Sequence, residues 1–220
     1  MVQGGRAARH PLEPAVREGR ELLSGEAEEK LAGALERVSR ALEGLLREAA
    51  GARGLSPIQA RILLHLRHRG DGLRRVGELA REFGVAPATV SGAVAALERK
   101  GLVRRRSSPG DGRAVALALT PRGGALAREL AAWDLPLRRR LAELPSGQKE
   151  GALWLLLRLI DGLQEEGAIT VSGMCVSCRY FRPHAHPGAA RPHHCALLDA
   201  PLGVGELRLD CPDHEPAAAG

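Results

Sequence analysis

The chain has 220 residues and a formal net charge of +6, from 32 Lys and Arg against 26 Asp and Glu. An apolar share of 44% is ordinary for a globular protein, and with only 2% aromatics the core must be built from Leu, Ala and Val. That length allows one or two domains, and the basic balance favours an anionic partner over an acidic or purely structural role.

In chain order, Arg6, Arg9 and His10 are not followed by the apolar stretch a secretory leader needs. Residues 1–25 show no periodicity and read as a flexible arm. From Glu26 to Ala50 the residues Leu31, Leu35, Val38, Leu42 and Leu45 recur at steps of three and four, the signature of one helix face. Ser56 and Pro57 form a cap and first-turn pair for a second helix through Ile58, Ile62, Leu63 and Leu66, which Gly70-Asp71-Gly72 should end. A third helix is expected from Val76 to Phe83, stopped by Gly84. A fourth runs from Pro87 to Lys100, with Val90, Val94 and Leu97 inward, and Gly101 ends it.

Leu102 to Thr120 changes period. Val103, Val115, Leu117 and Leu119 alternate with smaller or charged residues around the turn cluster Ser107-Ser108-Pro109-Gly110-Asp111-Gly112, which spells a two-stranded hairpin. Pro121 opens a further helix through Leu126, Leu130 and Leu137, and Ser146 caps a last one through Leu153, Leu156, Leu157, Ile160 and Leu163, closed by Gly167. Its richest apolar stretch, Ala152 to Ile160, is short and carries Arg158, so no membrane span is expected. The expected location is cytoplasmic, where thiols stay reduced.

Two short helices joined by a tight turn and followed by a hairpin make a physical reader of DNA. The second helix can enter the major groove while the first braces it against the backbone. Arg104, Arg105 and Arg106 on the hairpin supply a salt-sensitive attraction to phosphate, and a basic hairpin tip suits a narrow minor groove.

The ordered segments Val76-Gly-Glu-Leu-Ala-Arg-Glu-Phe-Gly84, Ala88-Thr-Val-Ser91, Leu97-Glu-Arg-Lys-Gly-Leu-Val103, Asp111-Gly-Arg113 and Leu119-Thr-Pro-Arg-Gly123 resemble the MarR family of winged-helix repressors. The similarity extends from about Glu26 to Leu163. It implies a mainly α fold with a small β-wing: a winged helix-turn-helix, its DNA-binding core at 55–123, flanked by N- and C-terminal dimerisation helices within 26–167. It further implies a homodimer on a pseudo-palindromic double-stranded operator, with a small-molecule inducer possible at the junction of dimer helices and winged helix. Thr89 and Ser91 would face the DNA, and Asp111 would orient Arg113 at the wing tip. One departure stands out. Where relatives often carry a large polar residue after the helix serine, this chain has Gly92 and Ala93, so base-edge hydrogen bonds from this helix should be few.

The tail at 171–215 has a different character and holds every cysteine: Cys175, Cys178, Cys195 and Cys211. Four thiolates suit a tetrahedral zinc site or an iron–sulfur cluster, and a Cys-x-x-Cys pair can also act as a thiol–disulfide switch. The spacing matches neither a zinc-ribbon double Cys-x-x-Cys nor a ferredoxin run. Tyr180 and Phe181 could shield such a centre, and His184, His186, His193, His194 or His214 could replace a cysteine ligand. A tail this poor in apolar residues would draw folding energy from the metal.

The function that follows is a sequence-specific regulator, in the sense of a repressor, with a metal- or redox-sensing cysteine centre. A redox or metal-dependent enzyme using the tail is the competing class, opposed by the lack of a nucleotide loop or of paired carboxylates near a nucleophile. A non-specific architectural DNA-binding protein is the third.

Overall fold

The computed structural model describes residues 13–68, 75–108, 111–169 and 173–217, without the side chains of 13–24, 107–108 and 111–115. The glycine stop expected at 70–72 and the Pro109-Gly110 tip lie outside the described residues, as do residues 1–12 of the expected arm.

Among the described residues, seven helices and two small sheets follow in order. They are α1 (Glu13–Gly51), α2 (Pro57–His68), α3 (Val76–Glu82), α4 (Pro87–Arg99), β1 (Val103–Ser108), β2 (Asp111–Leu119), α5 (Pro121–Leu130), α6 (Leu135–Ala142), α7 (Ser146–Glu165), β3 (Phe181–Arg182), β4 (His193–Cys195) and β5 (Ala200–Leu202), the last followed by a single 3₁₀ turn at Val204–Glu206. The expected class, mainly α with a β-wing, is the observed one.

The core of the winged helix is the set of inward positions the sequence periods select. Ile62 and Leu63 of α2, Leu79 of α3, and Val90, Val94 and Leu97 of α4 are fully buried, joined by Leu130 of α5 and Leu102 and Val103 before and on β1. α2 is central, packed against α1, α4 and α5. Its start is a reciprocal cap. The Gln59 amide donates to Ser56 Oγ at 3.4 Å, while the Ser56 amide donates to Gln59 Oε1 at 3.2 Å. α3 and α4 end at glycines that L-residues fit poorly: Gly84 has φ +62° and Gly101 φ +67°.

Three expectations need correction. First, α1 starts at Glu13, so the arm read over 1–25 is helical for its second half. Ala15, Val16, Arg17, Glu18, Arg20, Glu21, Leu22 and Leu23 are mostly good helix formers, and the scattered Pro and Gly obscured them. Second, the helix expected to run from Pro121 through Leu137 is two helices. α5 ends at Leu130 and α6 starts at Leu135 with Pro136 in its first turn, because proline has no N–H to continue the ladder of α5. Third, Ser146 is the first residue of α7 rather than its cap; Pro145 holds the cap position, with no side-chain bond.

The tail folds as a second small unit against α7. β3, β4 and β5 form an antiparallel sheet in that order, with Phe181 opposite Cys195 and Cys195 opposite Ala200. Met174 and Leu207 bury themselves on Leu157 of α7, with Leu153, Trp154, Ile160, Phe181 and Leu202 around them. His193 is the one fully buried polar residue among those described; its ring stacks on Trp154 at a centroid distance of 4.9 Å and accepts at Nδ1 from the His184 amide. The apolar partners that the tail itself lacks are thus supplied by α7.

Candidate nucleic-acid interface

α4 presents its outer face where the sequence places it. Pro87 starts the helix, and the inward residues Val90, Ala93, Val94 and Leu97 leave Thr89, Ser91 and Gly92 exposed. A Cβ built on Gly92 would meet nothing within 4 Å, so no packing constraint demands glycine there. The exposed surface of this helix is small and smooth, with two hydroxyls as its only side-chain hydrogen-bonding groups ahead of Glu98.

The three wing arginines divide according to the strand's alternation. β1 pairs antiparallel with β2 in the register Arg104 to Ala118, Arg105 to Leu117 and Arg106 to Ala116. Directly opposed residues share a face, so Arg105 lies on the side of Val103 and Leu117, toward the core. There its Nε is 3.1 Å from both carboxylate oxygens of Glu98 on α4. Arg104 and Arg106 share the opposite face, are exposed, and form no ion pair among the described residues. Of the three arginines expected to attract phosphate, Arg105 also ties the wing to α4. Asp111 and Arg113 sit at the start of β2, but their side chains lie outside the described residues.

Several residues that looked like signature elements hold this surface in place. Lys100 Nζ donates to Gly54 O at 2.5 Å and to Gln59 Oε1 at 3.2 Å, fixing the end of α4 on the α1–α2 turn. Thr120 caps α5 by accepting from the Gly123 amide at 3.0 Å, and its hydroxyl donates to Gly101 O at 2.7 Å. That bond joins the root of the wing to the end of α4. Gly123 lies so close to this turn that a Cβ would fall 1.8 Å from Leu102 O. Glu98 was not singled out from the sequence; a carboxylate seven residues ahead of an arginine is a visible signal only once the strand face is known.

An open cleft of about 440 Å³ lies beside the helix-turn-helix, lined by Ala80 to Val85, Pro87, Ala168 and Ile169. It is the place where the chain just beyond α7, which ends at Glu165, passes the α3–α4 turn.

The four cysteines, dispersed over the tail sequence, come together. Cys175, Cys178, Cys195 and Cys211 line one cavity of about 30 Å³, walled otherwise by Tyr180, Phe181, Leu197, Leu202 and Asp213. The Arg208 amide donates to Cys175 Sγ at 3.2 Å. Burial pushes the Cys175 thiol up, the Arg208 amide opposes this, and the neighbouring Cys211, Cys195 and Cys178 add to the rise. None of the five tail histidines lines the cavity. His184 and His193 lie against Trp154, His186 Nε2 is 3.2 Å from His194 Nδ1, and His214 Nε2 is 3.1 Å from Ser177 Oγ. Among the described residues, no three His, Cys, Asp or Glu side chains are placed to hold one metal ion together.

Two exposed-face helices and a basic wing define a winged helix-turn-helix of the DNA-binding regulator class. A family model described as MarR family matches residues 53–114. The HTH-type transcriptional repressor NicR of Pseudomonas putida is 32% identical over 118 residues, which is 51% of this chain and 71% of NicR. The chain belongs to the MarR family of transcriptional regulators. The fold likeness extends to the transcription regulator MarR from Oenococcus oeni PSU-1, at TM-score 0.50 and 22% identity, covering 60% of this chain and 98% of that one. It extends also to the S. aureus MepR–DNA complex, at TM-score 0.53 and 19% identity, covering 59% of this chain and 94% of that one. No helix among the described residues is long and apolar enough to cross a membrane.

Proposed function

We propose that the chain is a homodimeric repressor that binds a pseudo-palindromic double-stranded operator, with α4 in the major groove and the β1–β2 wing on the flanking backbone. The observation that carries this reading is the composition of the exposed face: Thr89 and Ser91 on α4, and Arg104 and Arg106 unpaired on the outer side of β1. Small hydroxyls permit close approach to base edges, and the two arginines add a phosphate attraction that does not depend on sequence. Arg113 is assigned to the wing-tip contact, with Asp111 as its positioning residue, by similarity to the family. NicR is itself named a repressor, which supports the direction of regulation.

The homodimer rests on apolar surface that one chain leaves in water. Leu31, Leu35 and Val38 on α1 and Leu155, Leu156, Leu159 and Leu163 on α7 are all more than 40% exposed. Two helices that each present such a stripe bury it by pairing with a second copy. A small apolar inducer fits the cleft between the α3–α4 turn and the end of α7, where it would change the angle between reading head and dimer helices. No catalytic step is assigned.

The test is selection of bound duplexes from a random pool, followed by footprinting of the enriched sequence and mass measurement of the free protein. The expected result is a dimer protecting two half-sites about one helical turn apart. Uniform coating without an enriched sequence would make the protein an architectural binder and overturn the reading.

A further inference from the structure

The winged helix does not use the tail cavity, and nothing in the family likeness accounts for it. We propose that Cys175, Cys178, Cys195 and Cys211 hold an iron–sulfur cluster of the four-iron type, seated within the tail, whose Cys175, Phe181 and Leu202 pack in turn on the Leu157 cluster of α7.

Three observations carry this, beginning with convergence. Residues 36 positions apart in sequence, Cys175 and Cys211, line the same cavity with the other two cysteines, and no cysteine lies anywhere else in the chain. The second is size. Zinc bonds thiolate sulfur at about 2.3 Å, which draws four sulfurs to about 3.8 Å from one another, in van der Waals contact with nothing between them but the ion. Here the four cysteines instead line a common cavity of about 30 Å³. Thiols arranged around a space suit a body with several metals, whose thiolates bind at separate corners. The third is the lining. Tyr180, Phe181, Leu197 and Leu202 form the remaining wall almost entirely, with Asp213 the one carboxylate. A dry apolar shell is what protects a cluster from water and shifts its potential, and the Arg208 amide on Cys175 Sγ is the kind of N–H to sulfur bond that tunes it further.

The location gives the site a connection to the rest of the molecule. Phe181 and Leu202 line the cavity on one side and pack around Leu157 of α7 on the other, together with Cys175 itself. Just beyond α7, Ala168 and Ile169 line the same cleft as the α3–α4 turn. A cluster in this place holds the tail on the same helix that carries the unpartnered stripe of Leu155, Leu156, Leu159 and Leu163.

The test uses the full chain, purified without oxygen and, in parallel, incubated with ferrous iron, sulfide and a thiol reductant. Iron, acid-labile sulfide and zinc are then counted per chain. The expected result is a brown protein with about four irons and about four sulfides, the content of a cube held by four thiolates. One zinc per chain with no iron, about two irons per chain, or a metal-free protein after reconstitution would each overturn the proposal. C195S should lose its iron, whereas H194A, next to it in β4 but absent from the cavity wall, should keep it. Full iron in C195S would also overturn the proposal. Because C195S could fail to fold its tail, the wild-type stoichiometry decides the matter without any variant. It is read independently of DNA binding, so failure of the operator reading would leave this result untouched, and the reverse.

Discussion

Replacing Arg104, Arg105 and Arg106 one at a time by alanine separates a contacting arginine from a bracing one. The outer face of β1 carries Arg104 and Arg106, and the inner face carries Arg105 against Glu98. Each phosphate contact contributes about 0.9 to the slope of log affinity against log salt, so in a homodimer R104A or R106A should flatten that slope by up to about 1.8. The double variant should flatten it by up to about 3.6. Between about 50 and about 200 mM salt, the single variants should then lose about tenfold less affinity than the parent protein. R105A should change the slope little, by less than about 0.5, because its charge is already matched by Glu98. Its cost falls on the fold instead, within about 1 kcal/mol, since the pair is partly exposed. The assay is fluorescence anisotropy with an operator duplex across a salt titration, alongside urea unfolding of each variant. A slope change for R105A equal to that of R104A would refute the division of the wing into two faces.

Three further outcomes follow from the packing. G123A should destabilise the winged helix by about 1–3 kcal/mol or more, because its Cβ would collide with the Leu102 backbone rather than with a movable side chain; an unchanged urea midpoint would refute that close approach. L157A removes the fully buried centre of the α7–tail cluster and should cost about 2–5 kcal/mol there, read as fast proteolysis within 173–217 while the 55–123 core stays protected. G92A should raise helix stability by about 0.5–1 kcal/mol, since the site is open, yet weaken operator binding if glycine serves close approach to the bases; equal affinity would show that the bare helix face stands back from the DNA.

Legibility in the sequence followed the physics of each element. α2, α3 and α4 were readable to within a residue or two, because their buried residues repeat at the helical period and their ends are marked by Ser56-Pro57, Gly84 and Gly101. The hairpin was readable because its period changes to two. The start of α1 at Glu13 was not, because in this stretch helix-forming residues are interrupted by Gly19 and Gly25 and share no apolar repeat. The break at residues 131–134 was hidden by leucines that keep the helical period across it, although Pro136 was there to see. The pairing of Arg105 with Glu98 was not legible, because a run of like charges on a strand alternates faces, and which face lies inward depends on the neighbouring strand. The cysteine cavity was half legible. The four residues were found by count, but their wall, their distance from the histidines and their attachment to α7 depend on contacts between segments far apart in sequence.

α7 therefore deserves to be seen as one element with two demands on it. Along one side, Leu155, Leu156, Leu159 and Leu163 are left exposed, the surface proposed to pair with a second copy; along another, Trp154 and Leu157 receive the tail. A helix of this kind cannot shift toward one partner without straining its packing on the other, because close-packed interfaces have few alternative arrangements. The chain just beyond its far end, Ala168 and Ile169, shares a cleft with the α3–α4 turn. The bare recognition helix makes the angle of α4 count for more than it would in a helix with long polar side chains. If α4 reads the operator as proposed, Thr89 and Ser91 are too short to follow a base edge that moves away, so a small rotation at the α3–α4 turn would cost contacts that an arginine or glutamine would keep.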